Sequence, residues 1–198
     1  NNADMAFAVD NGGAAPVERM RIDSSGRLLV GTTSARSKFF NNSSLYSGKL
    51  QVEGTSESTR IISLVHNTSN SNFPIFVLGK SRGTSAGSHT VVQNGDGLGS
   101  LSFQGADGSE LVEAASIKCL VDGTPGSNDM PGRLVFSTTA DGASSTTERL
   151  RINNAGNVGV GTTSPVQRMH LEDSGSNVYL RATETGHTGI DFGQAVDG

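Results

Sequence analysis

Aspartates beside glycines are the residues of this 198-residue chain that first invite a chemical reading. Asp96 stands between Gly95 and Gly97, and Asp107, Asp122 and Asp141 each precede a glycine. Carboxylate and carbonyl oxygens are what calcium prefers, yet none of these turns has the ligand spacing of a calcium loop. Asp-Gly is also a common solution for a tight turn, and the four are read as turns. His66, His89, His170 and His187 are scattered, with no pair one to four residues apart that would share a metal on one element. Asp107, Glu110 and Glu113 form the one dense acidic group. A glycan depolymerase needs paired carboxylates, and spacing alone fixes no such pair here. Gly156 to Gly161 reads GNVGVG, but a hairpin stands where a dinucleotide fingerprint requires a helix; there is no G-x-S-x-G elbow and no P-loop. The sequence therefore predicts no catalytic, cofactor-binding or metal-binding residues, no cofactor and no enzyme.

The single cysteine, Cys119, excludes an intrachain disulfide. In the alternating run Ile117, Lys118, Cys119, Leu120, Val121 it falls on the face of Ile117 and Val121 and is expected to be a small buried hydrophobe.

The elements that would carry these residues are short strands. Gly, Ser, Thr and Asn make up about two-fifths of the chain, types that favour turns, loops and strand edges. There is no Trp, with 2 Tyr and 8 Phe, so a thick self-sufficient interior is not expected. Charged residues are only 17%, and Val, Ile and Thr recur in short alternating runs, which argues for a folded chain rather than a disordered one. Many short strands with little core per chain can fold by sharing a core between chains, so an obligate oligomer is expected. The net charge of −4 has no block of either sign, which demotes nucleic acid and anionic membranes as partners. No apolar stretch approaches a membrane span, and the N-terminus does not read as a signal peptide; lacking an initiating Met, the chain reads as an excerpt of a longer one.

A repeat organises the chain. Residues 18 to 34, ERMRIDSSGRLLVGTTS, and 148 to 164, ERLRINNAGNVGVGTTS, are identical at 10 of 17 positions at an offset of 130. Upstream, Met5 to Gly13 matches Leu134 to Gly142; downstream, Lys49 to Glu53 matches Arg168 to Glu172 at an offset of 119, leaving an 11-residue insertion in the first linker. The expected organisation is therefore the end of one repeat with its hairpin (1–48), one complete repeat ending in the second hairpin (49–164) and the start of a third (165–198). In each copy an alternating strand leads through a glycine-closed turn into a return strand. Met20, Ile22, Leu28 and Val30, with Leu150, Ile152, Val158 and Val160, share one face and are expected to pack against the same residues of other chains. Glu18, Arg19 and Arg21, with Glu148, Arg149 and Arg151, form the charged outer face. Three more strands are expected around Leu101 and Phe103, around Ile117 to Val121, and around Leu134 and Phe136. The runs 60–65 and 73–78 are apolar on both sides and predict fully buried strands of a small sandwich. Leu111 to Ala115 fits a strand better than a helical turn.

The succession from GSLSFQGADG through PGRLVFSTTADG to ERLRI and GNVGVGTTSP resembles the repeat modules of tail fibres and related virion proteins of tailed marine bacteriophages, especially those of cyanobacteria. That resemblance implies a homotrimeric, β-structured shaft, a β-prism or triple-β-helix-like fibre with small β-sandwich modules, joined to other virion tail or fibre proteins in an extracellular virion. The function expected is structural: an internal segment that positions host-attachment domains. Two other readings stand beside it. A module binding host surface glycan would use polar loops such as 67–72, and a bacterial surface adhesin would share the repetitive design.

Overall fold

The computed structural model describes residues 3–10, 12–40, 47–56 and 60–173; His187 and most of the expected third repeat lie outside the described residues. The fold of the described residues is all-β, with ten strands in two mixed sheets. The first sheet joins β1 (Met5–Val9), β2 (Val17–Ile22), β3 (Leu28–Val30) and β4 (Leu50–Val52) in chain order. The second joins β5 (Gly97–Ala106), β6 (Leu111–Val121), β7 (Gly132–Thr139), β8 (Thr146–Ile152), β9 (Val158–Val160) and β10 (Met169–Leu171), also in chain order. The three strands expected from alternation are β5, β6 and β7, and Leu111 to Ala115 begins β6 as a strand.

The two sequence copies fold alike. In each, a bulged antiparallel strand, a hairpin and a parallel fourth strand follow one another: β1 to β4, then β7 to β10. The hairpin turn is closed by a polar side chain reading its own loop. Asp23 Oδ1 accepts from the amides of Ser25 and Arg27, and Asn153 Oδ1 from those of Ala155 and Asn157. Gly26 and Gly156 take the left-handed conformation (φ 68° and 75°) that closes such a loop with a bulge. A carboxylate from outside the hairpin clamps each turn: Asp4 accepts from the Ser24 amide at 2.8 Å, and Asp122 from the Asn154 amide at 2.9 Å.

The parallel pairs β3–β4 and β9–β10 are invisible to an alternation pattern, because parallel and antiparallel strands alternate in the same way. Gly31 and Gly161 make them possible. Each leaves its strand with positive φ (76°), and a Cβ there would run into the carbonyl of Glu53 or Glu172, the residue just past the fourth strand.

The sandwich expected from residues 60–65 and 73–78 is not present. Neither run forms a strand, and their side chains are exposed, Ile61 at 72% and Val77 at 77%. A strand that is apolar on both faces needs cover on both faces, and one chain supplies it on neither. Nor do the sheets stack: no strand of the first contacts a strand of the second, and they are joined at the side, where Phe39 bridges to Leu111 and the Phe40 amide donates to Gln104 Oε1.

The turn glycines generate a prediction. Gly26 has open space around its missing Cβ, so Gly26→Ala should cost only the left-handed backbone term, about 1–2 kcal/mol. Gly31→Ala should cost roughly 1–3 kcal/mol more, because the Glu53 carbonyl must move. The shifts in urea midpoint of the two variants measure the difference.

Candidate assembly surface

Strand register decides which side chains share a face. In the first sheet one row runs Met5, Ile22, Leu28, Leu50 and the next Phe7, Met20, Val30, Val52. In the second, the equivalent rows run Leu134, Ile152, Val158, Met169 and Phe136, Leu150, Val160, Leu171. Every position in both rows of both copies is apolar. β6 and β5 extend these rows with Cys119 and Gly99, and with Ile117 and Leu101. The eight residues assigned to a shared face from the sequence thus fall four on each sheet, each set of four on one face, and Met5, Phe7, Leu50 and their counterparts widen each row. The upstream and downstream flanks of the repeat carried that signal.

None of this surface is fully covered by its own chain. Ile22 is 42% exposed, Met5 60%, Leu101 48% and Met169 61%. The remaining row members are half-buried for the most part. Cys119 is half-buried rather than buried, while Val121, two residues on along the same face, is wholly buried. Among the described residues the buried apolar side chains are Leu29, Val92, Val121 and Val135, while more than twenty large apolar ones are exposed. Contiguous apolar exposure on this scale marks an interaction surface.

The opposite face is closed within the chain. Leu29 there is wholly buried, and its neighbour Gln51 donates to the Arg36 carbonyl and accepts from the Arg36 amide, fastening the linker across the sheet. At the equivalent position Gly159 takes the place of Leu29, and a Cβ there would lie 2.7 Å from the Thr162 carbonyl. Charged residues finish the cover, pairing inside the chain. Arg21 holds Glu18 with two bonds of 2.5 and 2.7 Å, and Arg151 holds Glu148 with two of 2.5 and 2.8 Å.

The acidic residues that drew attention in the sequence are engaged elsewhere. Both oxygens of Asp96 meet Arg82, at 2.6 and 2.7 Å, and one also accepts from the Gln93 amide. Asp107 accepts from the amides of Ser109 and Glu110 in its own turn. Glu113 accepts from Ser102 and Thr146 hydroxyls across the sheet and faces Lys118 at 3.6 Å. Asp107 and Glu113 are thus bound to separate partners. Among the described residues no group of three or more His, Cys, Asp or Glu side chains is arranged to hold a metal, and no helix is long and apolar enough to cross a membrane. In the polar loop 67–72, Thr68 and Asn70 side chains accept from backbone amides of the loop itself.

No family model matches the chain, and no curated protein matches it. Among solved structures, the carboxy-terminal domain of the bacteriophage T5 L-shaped tail fibre has a TM-score of 0.57 at 16% sequence identity, covering 90% of this chain and 72% of that one. The same domain with its intra-molecular chaperone domain has a TM-score of 0.58 at 15% identity, covering 95% of this chain and 51% of the other. At these identities the likeness is one of fold: the all-β arrangement is similar to that of this tail-fibre domain.

The ion pairs and turn clamps set the response to acid. The Arg21 guanidinium holds the Glu18 carboxyl below its ordinary value, and Arg82 with the Gln93 amide holds Asp96 far below it. Burial pushes the Asp122 carboxyl up, but the Asn154 amide and Arg133 outweigh it and the net direction is down. Carboxyls lowered on folding contribute stability above their unfolded pKa and lose it as pH falls through the folded one. The thermal midpoint should therefore be flat from neutral pH to about 5 and fall steadily below about pH 4, as a calorimetric pH series would show.

Proposed function

We propose that this chain is an internal structural segment of a phage tail fibre, three copies of which pack their open apolar faces around a common axis to make a rigid shaft. The observation that carries the reading is the apolar surface repeated row for row in the two hairpin units, with one face sealed by the chain and the other left open. A monomer would gain nothing by leaving the same face uncovered twice. Fold likeness to phage tail-fibre domains supports the setting, a virion component joined to other fibre proteins.

In this reading the units at 1–48, 49–164 and 165–198 belong to an array in which each added unit lengthens the shaft by stacking on its neighbour. The role is mechanical, not enzymatic, and it positions attachment domains carried elsewhere on the fibre. The short sealed face with its internal ion pairs becomes the outer wall. Exposed ion pairs contribute only about 0–1 kcal/mol each, so they set register and solubility while the axis supplies the stability.

Light scattering on the purified segment tests the proposal. The expected mass is three times the 20.4 kDa of one chain. Ile22→Asp with Ile152→Asp should abolish the assembly, whereas Lys118→Ala, on the sealed face opposite Ile117 and Cys119, should leave it intact and shift stability by no more than about 0.5 kcal/mol. A wild-type chain that is folded and monomeric overturns the reading.

A further inference from the structure

Residues 61 to 78 combine three properties that a single chain leaves unexplained. They carry nine large apolar side chains exposed between 46% and 77%, from Ile61 and Ile62 to Val77 and Leu78. Their backbone is open: no backbone hydrogen bond joins residues 60 to 80 to any other described residue. Their C-terminal end is nevertheless fixed. Leu78 packs directly on Gly99 of β5, where an added Cβ would lie 2.8 Å from its own, and Arg82, four residues on, is locked to Asp96 by two charged hydrogen bonds.

A polar turn built on Thr68 and Asn70 separates the two runs, each of about strand length. Free donors and acceptors along both edges, with apolar side chains on both faces, specify the missing partner closely. It must offer backbone to pair with and an apolar surface to lie against, which is a β-sheet edge beside an open apolar face. This molecule has both, and its own arm touches them at Leu78, on Gly99, without pairing its backbone there: β5 is the edge of the second sheet, and Leu101 and Phe103 on it are 48% and 55% exposed.

We infer that residues 61–78 are an exchange arm, anchored at Leu78 and Arg82 in one copy and added as strands to the sheets of a neighbouring copy of the same chain. The inference rests on the assembly proposed above and names how that assembly is locked. Each copy gives an arm and receives one, so the exchange closes in a ring of three without leaving an arm unused. The area is sufficient. At on the order of 100 Å² for each large apolar side chain, the nine come to on the order of 900 Å², comparable to the roughly 800 Å² per partner of a stable interface. An exchanged arm also makes the copies separable only by unfolding, which suits a part that transmits load.

Two measurements on the native segment decide the matter, alongside its mass in solution. Hydrogen exchange followed by mass spectrometry should find the amides of 61–65 and 75–78 protected at least a hundredfold over an unstructured peptide. Phe76 replaced by photoreactive benzoylphenylalanine should, on irradiation, give covalent dimers on a denaturing gel. Assemblies of three in which these amides exchange at the free-chain rate, or in which the cross-link stays within one chain, overturn the arm and leave the shaft standing. Folded single chains overturn both.

Discussion

The structure depends on one inequality between the two faces of each sheet. A β-sheet places alternate side chains on opposite sides, so both faces must be covered or solvated. Here the chain covers one face with its own linkers and ion pairs and leaves the other, lined with apolar rows, to be covered from outside. Burying a large aliphatic or aromatic side chain is worth about 1.5–3 kcal/mol, and this face carries most of the large apolar side chains within the strands. In the assembly proposed above, that face supplies the stability that a compact domain finds in its interior.

The two copies show which features that arrangement requires and which are free to vary. The open rows keep apolar character throughout while exchanging Met for Leu or Leu for Val. The sealed face varies more widely: Leu29 becomes Gly159, where a Cβ would lie 2.7 Å from the Thr162 carbonyl. The turn clamp is supplied by Asp4 from before β1 in one copy and by Asp122 from the end of β6 in the other, yet both reach the equivalent amide. The position of the carboxylate in space is retained while its position in the chain is not.

Much of this was legible in the sequence. Alternation located β2, β3 and β5 to β9, and the copy-to-copy match predicted which side chains share a face, because strand periodicity determines sidedness without knowledge of the partner. The parallel fourth strands were hidden, since pairing sense leaves no mark on a three-residue strand. The runs 60–65 and 73–78 were assigned to a sandwich because continuous apolar character reports that cover is needed, without reporting whether it comes from the same chain. Cys119 was placed on the correct face, but alternation gives sidedness and not depth: Cys119 is half-buried while Val121 on that face is wholly buried. For the acidic residues, spacing along the chain did not reveal that Arg82 would occupy both oxygens of Asp96, fourteen residues away.

The claim that the open faces are covered by other copies can be tested with one residue type. Met5 and Met169 sit in the apolar rows, at 60% and 61% exposure in the single chain, while Met130 lies in the loop between β6 and β7 at 54%. Mild peroxide oxidation of the native protein, read by peptide mass spectrometry, compares the three directly. Met5 and Met169 should oxidise at least several-fold more slowly than Met130; equal rates at all three would show the rows standing in water and contradict the account.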